Sequence, residues 1–361
     1  MKLLYITNGV TPSGGLERVL SIKASFFAEY YGYEVAIITL NEEGKKPFYD
    51  FSSKIKFFNI QIRSKREYLT CYFPSLNVIV SSFQPDIISV CDDGLKGLYI
   101  PFWLKKSYKK IIYERHVSKM VSLRENSYFT DKIFSKLLSF GAKKFDKVVL
   151  LTTDNIKEWQ GLRNLTVIPN PLSFFPKLTA ALENKQVIVV GRFEYQKGYD
   201  SLLYMWKEIE KYFSDWQLKI YGNGSLKKEI QEQIKNLNLQ HVSLNEPIAD
   251  IEKAYLESSV YAMTSRYEGF GMVLIEAMAC GVPCISFDCP CGPKDIITNG
   301  KNGFLIPLKD NELFVRKLSL LMKNVDLRKR MGQHAKASVK KYNPEFICSK
   351  WNDLFLCLLN D

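Results

Sequence analysis

Long apolar runs are what this sequence most plainly lacks. No stretch of its 361 residues approaches the roughly 20 apolar residues that a spanning helix needs, which excludes an integral helical membrane protein. The opening MKLLYITNG has one lysine and a short apolar run before Asn8-Gly9. A secretory leader needs a longer apolar core, so MKLLYIT reads as a first strand. The protein is therefore expected in the cytoplasm, at most peripheral on the inner face of the cell membrane. Histidine is scarce, at three, and all three lie far in sequence from the cluster Cys280, Cys284, Cys289 and Cys291. The eight cysteines contain no Cys-x2-Cys pair, so no zinc site is expected. Disulfides are equally unexpected in a cytoplasmic chain of this size. The glycine loop after the first strand lacks the G-x-G-x-x-G spacing of dinucleotide binders. Acidic excess is missing too: net charge is +12, and residues 1–172 hold 25 Lys and Arg against 16 Asp and Glu. A basic first half suits an anionic partner such as a phosphate-bearing lipid or a membrane surface. No nucleic-acid-binding module is apparent, so nucleic acid is not an expected partner.

What is present is a strand–loop–helix pattern that runs through the chain and restarts half-way. Residues 1–7 read as a strand, Asn8 to Gly15 as a loop, LERVLSIKASFFAEYYG as a helix closed by Gly32, and EVAIITL as the next strand. That order makes a parallel βαβ unit. KIKFFNI, DIISVCDDG and KKIIYERH continue as strands, the last with Glu114, Arg115 and His116 at its C-terminal end. Ligands of open parallel sheets bind beyond such ends. Between these strands Phe102, Trp103 and Tyr108 mix with Lys105, Lys106, Lys109 and Lys110, whose i, i+4 spacing predicts a short helix with a basic side. Asn170-Pro171 and Pro176 make an extended linker, which puts a boundary near Leu172 to Lys185. KQVIVVGRFEYQKGYDSLLYMWKEI then restarts the pattern, and NPEFICSKWNDLFLCLL is a last amphipathic helix. The expected fold class is α/β, with two Rossmann-like parallel-sheet domains, 1–172 and 173–343, and a helix over about 344–361.

The stretch that organises the second half is SRYEGFGMVLIEAMACGVP, Ser265 to Pro283. Glu268 and Glu276 stand eight positions apart around Gly269-Phe270-Gly271 and the apolar Met272-Val273-Leu274-Ile275. The pattern predicts a loop opening into a helix that starts near Gly271 and stops at Gly281, with Pro283 as a breaker. Amides at a helix start lack intrahelical acceptors and favour an anion, which makes a phosphate cradle. Carboxylates accept from paired hydroxyls. A cradle with two carboxylates is what a nucleotide-sugar needs.

EGFGMVLIEAMACGVPCI resembles the Glu-x7-Glu signature of the retaining GT-B glycosyltransferases, specifically glycosyltransferase family four. The resemblance covers nearly the whole chain and implies two Rossmann-like domains facing a central cleft, with the last helix crossing back to the first domain. The first domain would bind the acceptor and the second the nucleotide-sugar donor. It implies a retaining hexosyltransferase that moves a hexosyl or N-acetylhexosaminyl group to a carbohydrate or lipid-linked glycan hydroxyl. FDCPCGPKDII is similar to bacterial members acting on surface polysaccharide precursors, many of which use UDP-sugars. In the resemblance Arg192 and Lys197 hold the donor diphosphate, the backbone from Gly269 through Phe270, Gly271, Met272 and Val273 adds amides, Glu276 holds the ribose, and Glu268 binds sugar hydroxyls. Gly14-Gly15 match the family's first glycine loop, Gly222 the turn near the base, and His116 the histidine that touches the donor sugar. No DxD motif is present, in keeping with a family that works without a metal, so neither metal nor other cofactor is expected. Two alternatives stay open at this stage: a nucleotide-sugar epimerase of GT-B architecture, and a non-catalytic sugar-binding module.

Overall fold

The computed structural model describes residues 1–64, 66–119, 128–248 and 250–360, with the backbone alone of 128–132. The chain divides into two compact units, one of residues 1–173 with 344–361 and one of residues 174–343. Each holds a parallel sheet whose inner strands are buried and mainly apolar, as strands covered on both faces are.

The first unit contains β1 (Lys2–Thr7), α1 (Gly15–Glu29), β2 (Glu34–Leu40), β3 (Lys56–Ile60), α2 (Phe73–Phe83), β4 (Ile87–Cys91), α3 (Leu95–Trp103), β5 (Lys110–Glu114), α4 (Tyr128–Ala142), β6 (Lys147–Leu150) and β7 (Leu165–Val167). Among the described residues the strand order is β3-β2-β1-β4-β5-β6-β7, all parallel, with Leu4 beside both Ala36 and Ile88. Leu4, Ile6, Ile38, Val80, Ile88, Leu98 and Val148 form its core. The second unit contains β8 (Gln186–Val190), α5 (Tyr199–Glu210), β9 (Gln217–Tyr221), α6 (Lys227–Asn236), β10 (Val242–Asn245), α7 (Ile251–Leu256), β11 (Val260–Met263), α8 (Met272–Ala279), β12 (Cys284–Asp288), α9 (Pro293–Ile296), β13 (Gly303–Pro307), α10 (Asn311–Lys323) and α11 (Val325–Ser338). Its order is β10-β9-β8-β11-β12-β13. Val187, Val189, Leu203, Trp206, Ile220, Val260 and Phe314 fill its core.

Both sheets reverse their winding at one place. In the first, β1 and β4 are neighbours although two strands separate them in sequence; in the second, β8 and β11 are. The loops leaving such neighbours run to opposite faces and open a crevice beyond the carboxyl ends. The loops that carry Arg192, Lys197 and Glu268 follow β8 and β11, and His116 follows β5, the neighbour of β4.

The last helix, α12 (Pro344–Asn360), belongs to the first unit. Ile347, Cys348, Trp351, Phe355 and Leu358 form its buried stripe, spaced for one helical face. Phe355 meets Phe27 of α1 with ring centroids 5.4 Å apart. Among the described residues no helix is long and apolar enough to cross a membrane. The short basic helix expected around Lys105–Lys110 does not form. α3 ends at Trp103, Lys109 pairs with Asp86 at 2.6 Å, and Lys110 opens β5. The i, i+4 spacing was real, but strand pairing with β4 took the end of the segment.

Candidate active site

In the second unit the β8 and β11 loops are laced together by hydrogen bonds to backbone carbonyls. Arg266 N donates to Gln196 O at 2.7 Å, Arg266 Nη1 to Tyr195 O at 2.6 Å, Gln196 Nε2 to Tyr267 O at 2.9 Å and Thr264 Oγ1 to Lys197 O at 3.0 Å. This lacing fixes Lys197 beside Glu268. Lys197 Nζ lies 2.7 Å from Glu268 Oε1, and Ser265 Oγ donates to the same oxygen at 2.6 Å. Both side chains are mostly buried. Glu268 Oε2 has no hydrogen bond among the described residues, so it is the acceptor left for a ligand. Arg192 is exposed on the same loop and makes no ion pair among the described residues. An exposed guanidinium and a mostly buried ammonium on one loop are a fitting pair for a diphosphate.

The helix expected after Gly271 is α8, Met272–Ala279. Gly271 is its N-cap with φ +94°, a left-handed conformation that a side chain would strain. Met272 and Val273 stand half-buried in the first turn, where amides have no intrahelical acceptor. Phe270 offers only backbone to a ligand: its ring is buried and meets Tyr342 edge-on at 5.5 Å. Gly269 is buried and has no left-handed φ. Glu276 lies a turn into α8, 2% exposed, and Tyr255 OH donates to its Oε2 at 3.4 Å. Gly222 has a packing reason to be glycine, since a Cβ there would lie 2.0 Å from Gly191 O.

In the first unit, Gly14 caps α1 in an extended conformation and Gly15 faces open space. Glu42 holds the preceding loop by accepting from Val10 N at 2.7 Å and Thr11 N at 3.1 Å. His116 stands two residues past Glu114, and Glu114 is the centre of a buried polar cluster. Its Oε2 takes the Lys23 ammonium and lies 3.1 Å from His116 Nε2, while Ser89 Oγ donates to Oε1 at 2.5 Å. Burial alone would push the Glu114 carboxyl up, but the Lys23 charge and the His116 hydrogen bond hold it well below the usual carboxylate range. Burial and the Glu114 charge push the neighbouring Cys91 thiol up.

Cys91, Glu114 and His116 bring ligand atoms within 4.8 Å of one another. A metal there would meet the Lys23 ammonium already seated on the carboxylate, so the donor set does not fit a cation. Cys280, Cys284, Cys289 and Cys291 are all buried, and form no such group among the described residues. Sequence reasoning missed Lys23, Glu42, Ser89, Tyr255 and Ser265. Lys23 alone left a trace: it falls on the apolar stripe Val19, Leu20, Ala24, Phe27 of α1, where a lysine demands a buried partner.

The model described as glycosyl transferases group 1 matches residues 173–338, and the one described as glycosyl transferase 4-like matches residues 16–152. The amylovoran biosynthesis glycosyltransferase AmsD of Erwinia amylovora is 31% identical over 375 residues, covering 98% of this chain and 99% of that protein. The chain belongs to the group 1 glycosyltransferases. The glycosyltransferase is also 27% identical over 336 residues to the lipopolysaccharide 1,6-galactosyltransferase of Escherichia coli K12, with 88% of each chain covered. Its fold matches a TarM variant of S. aureus in complex with fondaparinux, alpha-GlcNAc-glycerol and UDP, with TM-score 0.82, 17% identity, and 98% and 99% of the two chains covered. The glycosyltransferase therefore has the GT-B fold of two Rossmann-like domains.

Proposed function

We propose that the protein transfers a hexosyl or N-acetylhexosaminyl group from a UDP-sugar to a glycan hydroxyl in surface polysaccharide synthesis, with retention and without a metal. The observation that carries this reading is the Lys197–Glu268 contact between the loops after β8 and β11, the first carrying Arg192 and the second leading into α8. The carbon–oxygen bond to the diphosphate breaks and one to the acceptor oxygen forms. The acceptor proton passes to an oxygen of the leaving phosphate. Negative charge grows on that phosphate, and Arg192, Lys197 and the first amides of α8 would stabilise it. Glu268 Oε2 would take a sugar hydroxyl, Glu276 the ribose, and His116 the donor sugar. The UDP seen with the TarM variant, and relatives named for amylovoran and lipopolysaccharide synthesis, support the donor and the pathway class.

A thermal-shift screen of UDP-, GDP- and ADP-sugars tests the donor, because selective binding raises the unfolding temperature. Stabilisation by a UDP-sugar is expected; a GDP- or ADP-sugar as sole stabiliser would replace the base. The anomeric coupling in the product NMR spectrum reads retention. Activity that vanishes with a chelator would remove the metal-free reading.

The acceptor we take to be lipid-linked and met at an anionic membrane. Phe102 and Trp103 are exposed at the end of α3, and Ile133, Leu137 and Phe140 are exposed one turn apart on α4. Phe102 stacks on Phe140 at 5.7 Å, with Lys144 over its ring at 5.5 Å. Lys105, Lys106, Lys136 and Lys143 are exposed nearby in sequence. Aromatics and leucine among lysines suit the interface of an anionic bilayer. Lys109, held by Asp86, drops out of the set. Wild type should sediment with phosphatidylglycerol vesicles at low salt, and a Lys105, Lys106, Lys144→Ser variant should not. Equal binding, or none by wild type, would leave a soluble acceptor.

A further inference from the structure

The buried cluster under His116 has no part in the reading above, yet it touches the one histidine that reading uses. Lys23 comes from α1, Ser89 and Cys91 from β4, and Glu114 and His116 from the end of β5. Lys23 and Glu114 are each about 1% exposed. Trp351 of α12 covers the Lys23 ammonium at 3.9 Å from its ring centroid, and Tyr5 of β1 lies at 5.4 Å. Asp93 Oδ1 receives the His116 backbone N–H at 2.9 Å and lies 3.6 Å from Arg115 Nη1. Among the described residues, the charged and titratable groups around the ring are thus Lys23, Glu114, Cys91, Asp93 and Arg115.

Hydrogen-bond logic fixes the ring's state. An ionised carboxylate only accepts. Glu114 accepts from Lys23 and Ser89, so the proton of its contact with His116 must sit on Nε2. Lys23 matters for the other nitrogen. Its ammonium already sits on the carboxylate that a doubly protonated ring would need as its counter-charge. That Nδ1 is buried and has no hydrogen-bond partner among the described residues. A buried polar atom left unpartnered favours a ligand that can satisfy it.

We infer that Lys23 and Glu114 are positioning residues that hold His116 as the neutral Nε2–H tautomer, so that Nδ1 accepts a hydrogen bond from a substrate hydroxyl. The acceptor role rests on the proposed function; the tautomer does not. Unlike a lone histidine on a loop, this ring would then be a fixed acceptor and not a proton carrier. Trp351 makes α12 part of the device, because it shields the ammonium that cancels Glu114.

Nitrogen-15 NMR of the ring decides the tautomer in the intact protein without any donor. The chain has three histidines, and His116→Gln identifies the signal by its loss. At neutral pH we expect Nε2 protonated and Nδ1 bare. An Nδ1–H ring, or one protonated at both nitrogens, overturns the inference. Glu114→Gln replaces an acceptor with an amide that can donate to Nε2. It should move the proton to Nδ1 and lower kcat by about tenfold, the worth of one hydrogen bond turned from accepting to donating, with KM for the donor held. Should that variant not fold, Lys23→Met with Glu114→Gln removes both charges together and should show the same tautomer change. A folded variant with the wild-type tautomer, or with the changed tautomer and unaltered kcat, sinks the positioning role. Absence of transfer by wild type from every nucleotide-sugar would instead count against the proposed function, and the ring spectrum would still stand.

Discussion

Single residues make the sharpest claims. Arg192 is exposed and unengaged by any ion pair among the described residues, whereas Lys197 is shared with Glu268. Arg192→Ala and Lys197→Ala should each raise the barrier to transfer by about 2–4 kcal/mol, as loss of one charged donor to a leaving group does. Steady-state kinetics with the preferred donor checks this; unchanged kcat/KM in both would misplace the diphosphate. The two carboxylates should separate by ligand. Glu268→Gln removes the counter-charge of Lys197 but not the nucleotide contact, so turnover should fall while UDP affinity holds. Glu276→Gln alters an acid buried in α8 and steadied by Tyr255, so UDP affinity itself should fall. Calorimetry with UDP alone compares them, and equal losses would dissolve the division.

At the level of elements, α12 is anchored by a ladder of large buried side chains. Phe355→Ala deletes a fully buried ring against Phe27 and should destabilise the first unit by about 3–5 kcal/mol, read from urea unfolding followed by near-ultraviolet signals of that unit. Elements were also where the sequence was most legible. Strand–loop–helix periods carry their own local physics, so β1–α1–β2 and β8–α5–β9 could be read without any partner. α8 announced itself through Gly271, Gly281 and the apolar run between. Side-chain pairing across distant segments was not legible. Nothing near Lys109 in sequence points to Asp86, and Lys23 and Glu114 lie 91 positions apart. The Lys197–Glu268 contact was hidden for the same reason, since the lacing of two loops depends on β8 and β11 becoming neighbours.

Over the whole molecule, the Lys23–Glu114 pair ties the stability of the first unit to acid. The Glu114 carboxyl is held low in the folded protein. Its stabilising contribution is complete above the unfolded value of about 4.3 and is lost as pH falls towards the lower folded value. Wild type should therefore lose more stability than Glu114→Gln between about pH 4 and pH 2, measured by thermal melts across that window. The same pair has a consequence for how the protein is made. The first unit consists of residues 1–173 and of α12, which follows the entire second unit in sequence. A ribosome therefore delivers β1 to β7 long before Trp351 exists to cover Lys23. Domains usually fold in the order they emerge. Here the nascent first unit must wait, incompletely closed, while the second folds ahead of it. A fragment ending at Ser173 should bind a hydrophobic dye, and adding α12 as a separate peptide should quench that binding. In vivo that gap would be open to a chaperone, and its length is set by the position of one helix in the message.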